Sequence, residues 1–149
     1  MSEFYRNILI ATDGSKNSLK AISYGIEIAK LSGATVHGLY VVDMTSFSSL
    51  PMDAGWETMY DTLKEEGEKA ISEVKECGEA SGVEVRGVLL EGHPSNEIIN
   101  FAENNDIDLI VVGTLGKTGL DRFLMGSVAE NVVRNSKVPV MVVRSEKQS

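Results

Sequence analysis

Leu109-Ile-Val-Val112 empties into Gly113-Thr-Leu-Gly116-Lys-Thr-Gly-Leu-Asp-Arg-Phe-Leu-Met-Gly126-Ser127, and a helical pattern starts at Val128. A β-branched apolar run, a glycine-rich loop and a helix in that order form a unit suited to holding phosphate. Glycines let the backbone come close to an anion, and a helix N-terminus supplies unpaired N–H groups and the positive end of a dipole. The plainer reading of the same residues is a surface loop with turn glycines. What the rest of the chain places beside this loop decides between them.

Working outward, short β-branched runs alternate with longer helical patterns, the signature of a parallel sheet covered on both faces. The runs span Ile8–Thr12, Thr35–Val42, Val83–Leu90, Ile107–Val112 and Val138–Val143. The first, fourth and fifth are apolar nearly throughout. The third alternates and reads as a less covered strand toward an edge. Between the runs, Leu19, Ile22, Ile26 and Ala29 recur at helical spacing, as do Met59, Leu63, Ala70, Ile71 and Val74. Ile98, Ile99 and Ala102 repeat the pattern, and so do Val128, Ala129, Val132 and Val133. Pro94 suits a first helical turn, and Gly33 and Gly82 suit helix stops. The expectation is one α/β domain over 1–149, a doubly wound five-stranded parallel sheet with helices on both faces.

Composition sets the outer limits. The 149 residues suffice to bury about two thirds of the unfolded surface. An apolar fraction of 42% and a charged fraction of 24% are ordinary for a soluble globular chain. The net charge of -8 argues against a nucleic-acid or anionic-membrane surface. It also gives an anionic ligand no help, so a phosphate site here must use local N–H groups and nearby cations such as Lys117 and Arg122. The lone Cys77 excludes an intramolecular disulfide and fits a reducing compartment. The N-terminal stretch does not read as a signal peptide, and no apolar run is long enough for a membrane span, so the expected location is cytoplasmic.

Ligands in open α/β sheets bind beyond the carboxyl ends of the strands, where strand order reverses. Two turns carry ligand-binding chemistry: Thr12-Asp13-Gly14-Ser15 after the first strand, and the glycine loop after the fourth. If both face one pocket, the first and fourth strands are neighbours. That selects order 3-2-1-4-5 over the flavodoxin-like 2-1-3-4-5. Asp13 alone would be a turn residue or helix cap. Beside a phosphate loop, its carboxylate suits ribose hydroxyls, a cation or an adenine amino group better than phosphate. Ser127 is either a cap or a hydroxyl donating to phosphate. Val41 and Val42 end the second strand, where their backbone groups can meet the edge of a base.

Other motifs fall away. A P-loop ending at Gly116-Lys117-Thr118 needs glycine at position 111, where valine stands. No Gly-x-Gly-x-x-Gly follows the first strand. His37 and His93 lack partners at metal-ligand spacing; His37 reads as a strand side chain and His93 as shaping the turn before Pro94. Cys77 reads as a helix residue, and no nucleophilic constellation assembles around it.

With Gly113, Gly116, Gly126 and Ser127 in the pattern Gly-x2-Gly-x9-Gly-(Ser/Thr), the chain resembles the ATP-binding branch of the universal stress protein family. The resemblance extends to Ile8-Leu-Ile-Ala-Thr-Asp-Gly-Ser15, the Gly92-His-Pro turn, Gly126-Ser-Val-Ala-Glu130 and Val138-Pro-Val-Met-Val-Val-Arg144. It implies the order 3-2-1-4-5, adenine nucleotide binding and often a homodimer made through the last strand. By position it places Asp13 near ribose or adenine and Val41 against adenine through its backbone. Gly113, Gly116, Gly126 and Ser127 would wrap ribose and triphosphate, flanked by Thr12, Thr114 and Val128. The expected ligand is ATP, with Mg2+ or Mn2+ held mainly by the phosphates and no catalytic or metal-ligating side chain assigned. Leu115 departs from the polar or basic residue of many relatives, which removes a side-chain contact but not a backbone cradle.

Pro139 cannot donate a ladder hydrogen bond, so the fifth strand belongs at an edge or begins there. A dimer pairing two fifth strands would cover that edge; Pro139 and the polar tail would equally protect it in a monomer. Asp43–Trp56, with Met44, Phe47, Leu50, Met52 and Trp56, reads either as a lid or docking patch for an unknown protein partner, or as a segment folded onto the core. The function expected is a regulatory or stress-response ATP-binding module with slow or no hydrolysis. The alternatives are an ATPase or nucleotidyl-transfer enzyme and, at a distance, a flavin-binding electron carrier suggested by Thr12-Asp-Gly-Ser-Lys-Asn-Ser18.

Overall fold

A computed structural model describes residues 5–47, 54–114 and 126–144. The elements follow as β1 (Asn7–Ala11), α1 (Leu19–Ser32), β2 (Thr35–Asp43), α2 (Ala54–Ala80), β3 (Val85–Gly92), α3 (Pro94–Asn104), β4 (Leu109–Gly113), α4 (Ser127–Asn135) and β5 (Val140–Val143). The five strands are all parallel, in the order β3-β2-β1-β4-β5. The expected order therefore holds, and β1 and β4 are neighbours with Ile8 opposite Leu109 and Ile10 opposite Val111.

Side chains alternate across the pleat and so divide the core. Ile8 and Ile10 of β1 join Ile22, Ile26 and Ala29 of α1 with Val111 on one face. Leu9, between them, joins Ile98 and Ala102 of α3, Ile110, and Ala129 and Val132 of α4 on the other. A third cluster packs Ala70 and Ile71 of α2 onto Tyr40 and Val42 of β2. Ile8, Leu9, Ile10 and Ile110 are fully buried, and each such side chain contributes about 1.5–3 kcal/mol. Central strands sandwiched between helix layers must be apolar on both faces, which is why β1 and β4 lack alternation. β3, at one edge, keeps exposed Arg86, Gly87 and Glu91.

Chemistry at the element ends explains the boundaries. α1 stops at Gly33, which takes φ 76° and donates its N–H to Ala29 O at 2.8 Å. A side chain is disfavoured in that left-handed conformation, so glycine is the natural stop. Pro94 opens α3, where its missing N–H costs nothing. Three strands start two residues later than their apolar runs. The Val83 N–H turns back to Gly78 O at 2.8 Å, and Asp106, at φ 54°, turns the chain before β4. Ser136 Oγ donates to Val138 O and accepts the Val138 N–H, which occupies the residues before Pro139. Asp108 then fixes the entry to β1 by accepting the N–H groups of Arg6 and Asn7 at 2.8 and 2.9 Å.

Helical spacing overstates the core in two places. Leu19 of α1 is 44% exposed, and Val128 and Val133 of α4 are 36% and 43% exposed, although all three continue apolar stripes. α1 and α4 touch the sheet along a narrower face than their apolar residues mark out.

Candidate functional site at the carboxyl ends of β1, β2 and β4

A pocket of about 420 Å³ opens where the chain leaves the sheet. Its walls come from the ends of β1, β2 and β4, the first turns of α3 and α4, and Met59 and Leu63 of α2. This is the switch point of the sheet, because β1 is followed by β2 on one side and flanked by β4 on the other. The walls include Thr12, Asp13, Val41, Gly113, Thr114, Gly126, Ser127 and Val128. Eight of the nine residues singled out in the sequence thus meet in one cavity. The ninth, Gly116, lies outside the described residues, as do Leu115, Lys117 and Arg122.

One end of the pocket is a helix N-terminus without a side-chain cap. The Gly126 N–H donates to Thr114 O at 2.6 Å, clasping the two ends of the glycine loop. The first α4 hydrogen bond is Glu130 N–H to Gly126 O at 2.9 Å. The amides of Ser127, Val128 and Ala129 precede it and have no helical acceptor. These three donors, with the helix dipole behind them, are suited to an anion, whereas the Gly126 amide is already used. That division of labour was not legible in the glycine spacing.

The opposite end is an open strand edge. Thr12 N–H donates to Leu39 O at 3.0 Å, and Thr35 N–H to Arg6 O at 2.9 Å, so odd-numbered residues of β2 turn their peptide groups toward β1. β1 has ended by the level of Val41, whose cross-strand partner is Leu90 of β3. The Val41 N–H and C=O therefore face the pocket, with no β1 backbone partner among the described residues. A donor and an acceptor on one rigid edge, beside apolar Ile98 and Val112, suit a flat heteroaromatic ring.

Between the ends stands the turn after β1. Gly14 adopts φ 81°, and Asp13 Oδ1 accepts Ser15 N–H at 2.9 Å and Ser15 Oγ–H at 2.5 Å. Asp13 is half-buried, and its Oδ2 has no partner among the described residues. The Thr12 hydroxyl accepts Gly14 N–H at 3.1 Å and lies 2.9 Å from Ser18 Oγ, so it faces its own turn. Ser18 was not legible as a site residue, yet it lines the pocket and is buried.

The remaining candidates stand apart. His37 lies on β2 with its Nε2 3.3 Å from Asn7 Oδ1 and its ring against Phe101. Burial, and then the Arg86 guanidinium, hold its pKa below the ordinary imidazole value, against a smaller opposing effect of Glu84. His93 caps the turn before Pro94, its Nδ1 3.1 Å from Ser95 Oγ. Cys77 is exposed on α2. Met44 and Trp56 pack against the Tyr40–Val42 cluster, so these two residues of Asp43–Trp56 fold onto the core. Leu50 and Met52, and the Phe47 side chain, lie outside the described residues. No group of three or more metal-ligating side chains occurs among the described residues, and no helix among them is long and apolar enough to cross a membrane.

A five-stranded parallel sheet in this order, with a cavity at its switch point lined by both ends of the glycine-rich segment and by a helix N-terminus, defines an α/β fold of the universal stress protein type. The family model for universal stress proteins matches residues 4–144, and the chain belongs to that family. It is 49% identical over 144 residues to universal stress protein MJ0531 of Methanocaldococcus jannaschii, covering 97% of this chain and 85% of that one. Universal stress protein MJ0577 of the same organism is 32% identical, covering 97% and 98%. The solved MJ0577 structure matches with a TM-score of 0.85 at 31% identity, over 97% of this chain and 99% of that one. A universal stress protein from Archaeoglobus fulgidus, solved in complex with dAMP, shares the fold at 22% identity and a TM-score of 0.67, covering 94% and 98%.

Proposed function

We propose that this chain is an ATP-binding universal stress protein that acts as a regulatory or stress-response nucleotide-binding module in the cytoplasm, with slow or no hydrolysis. The observation that carries this reading is the pairing, within one 420 Å³ pocket, of three open α4 amides with the open Val41 strand edge. Phosphate takes the amide end, where Gly113, Thr114, Gly116, Gly126, Ser127 and Val128 surround it. Adenine takes the edge at Val41. Its N6 amino group donates to the carbonyl and its N1 accepts from the N–H, whereas guanine presents the reverse pattern there. Asp13 meets the ribose or the adenine from the turn that Thr12 begins.

The Archaeoglobus fulgidus relative was solved with dAMP, and an adenine nucleotide in this pocket agrees with that. A Mg2+ or Mn2+ ion accompanying ATP is held mainly by the phosphates. The working unit is a homodimer joined through β5, and any protein partner responds to nucleotide occupancy.

Mass spectrometry of whatever nucleotide co-purifies, followed by titration calorimetry of the emptied protein with ATP and GTP, tests the reading. ATP should be recovered and should bind with a clear preference over GTP. Recovery of flavin, or no heat with any adenine nucleotide, would remove it. Turnover of labelled ATP and Mg2+ at about 1 s⁻¹ or faster would replace the module with an enzyme.

A further inference from the structure

The turn after β1 holds a closed set of hydrogen bonds that converge on one carboxylate. Ser18 Oγ lies 2.8 Å from Ser15 O and 2.9 Å from Thr12 Oγ1. A serine hydroxyl carries one proton, and a carbonyl can only accept. Ser18 must therefore donate to Ser15 O, which leaves Thr12 as the donor in the Thr12–Ser18 bond. The same logic runs onward. The Thr12 oxygen accepts Gly14 N–H, and Ser15, held at its carbonyl by Ser18, gives both its N–H and its hydroxyl to Asp13 Oδ1. Every hydroxyl in Thr12, Ser15 and Ser18 is consumed within the turn.

What the network leaves over is Asp13 Oδ2, half-buried on the pocket wall. A carboxylate with two rotatable bonds would otherwise lose affinity by ordering itself on each binding event. Here Ser15 fixes one oxygen, and Ser18 fixes Ser15. Ser18 and Thr12 are buried, at 5% and 7% exposure, which limits the competition of water for these bonds.

We propose that Ser18 is a positioning residue for ligand recognition. It locks the Thr12–Ser15 turn so that Asp13 presents its free oxygen, preset, to the hydroxyl or amino donors of the nucleoside half of the ligand. The proposal rests on the nucleotide-binding reading above and adds to it a residue whose effect passes entirely through Asp13. It follows that the phosphate half of the ligand is indifferent to Ser18.

A double-mutant cycle tests this, with ATP and inorganic tripolyphosphate as probes by calorimetry on the full chain. Ser18→Ala should weaken ATP about three- to tenfold, the effect of losing one or two ordinary hydrogen bonds. In an Asp13→Ala background, the same change should weaken ATP by less than about twofold. Tripolyphosphate affinity should be unchanged by Ser18→Ala in either background, although Asp13→Ala itself, by removing a negative charge from the pocket, raises it in both. Ser15→Ala, at a half-buried position that does not threaten folding, should show the same dependence on Asp13 with a smaller loss.

Three results would overturn the proposal. One is wild-type ATP affinity in Ser18→Ala together with Ser15→Ala. Another is a loss that persists undiminished without Asp13, which would make Ser18 merely structural. The third is an equal loss for tripolyphosphate. A wild-type protein that binds neither probe overturns the nucleotide reading itself, and this inference falls with it.

Discussion

Gly126 sits at φ -61° and ψ 154°, a conformation open to any residue, so the fold does not demand glycine there. Its requirement would come from a ligand: a Cβ with two branches at the mouth of α4 meets whatever occupies the open amides. Gly126→Val should therefore fold with a melting temperature near wild type, yet lack the thermal stabilisation by ATP that the proposed function predicts for the parent. Scanning fluorimetry with and without ATP reads both quantities, and retained ATP stabilisation would mean that phosphate binds elsewhere. His37 makes a second residue-level case, away from the pocket. Its folded pKa lies below 6.5, chiefly from burial. As pH falls from about 6.5, the unfolded chain takes up a proton at this position before the folded one does. The unfolded state then binds more protons, so stability drops with falling pH until the folded pKa is reached, and is level below it. His37→Gln should remove that part of the slope. Denaturant unfolding at pH 7.5, 6 and 5 measures it, and an unchanged slope in the variant would assign the acid sensitivity to other groups.

At the scale of elements, the packing of α2 on β2 depends on a residue without a side chain. A Cβ at Gly67 would lie 2.7 Å from both Leu89 Cδ1 and Tyr40 Cδ1, and the Tyr40 ring is nearly fully buried. Leucine can swing a terminal methyl aside; a buried ring cannot move without its neighbours. Gly67→Ala gains about 1 kcal/mol of helix propensity but incurs overpacking of about 1–3 kcal/mol. The expected result is a net loss of about 1 kcal/mol, seen as a melting temperature lower by about 2–6 °C. A more stable variant would show that α2 sits farther from the sheet than these distances say. Element existence was legible because β1 and β4 are apolar throughout while α3 repeats Ile98, Ile99 and Ala102 at helical spacing. Element ends were less so: β5 waits until Val140 because Ser136 bonds locally to Val138, a side-chain event that periodicity does not encode. The site divides in the same way. Gly113, Gly126 and Asp13 stand out as residue types at fixed spacing, whereas Ser18 acts through contacts that exist only once the turn closes.

At the scale of the whole molecule, the question left by the order β3-β2-β1-β4-β5 is what meets the outer edge of β5. The ladder assigns its peptide groups. Ile110 N–H donates to Pro139 O at 2.9 Å and Thr114 N–H to Val143 O at 3.0 Å, so residues 139, 141 and 143 face β4. Val140 and Val142 must then turn their N–H and C=O outward, on a short strand whose Val140, Met141 and Val142 side chains are half-buried. Such an edge is a template for another strand. If two copies pair there, Val142→Pro removes an outward donor and leaves every bond to β4 in place, which edge strands tolerate. The expected outcome is a folded monomer from a dimeric parent, with ATP affinity within about twofold of wild type because the pocket lies beyond the strand ends, on β1, β2 and β4. Sedimentation equilibrium of both proteins decides it. A monomeric parent, or a variant that remains dimeric, would place the interface elsewhere. A variant that loses dimer and ATP together would mean that the second copy shapes the pocket.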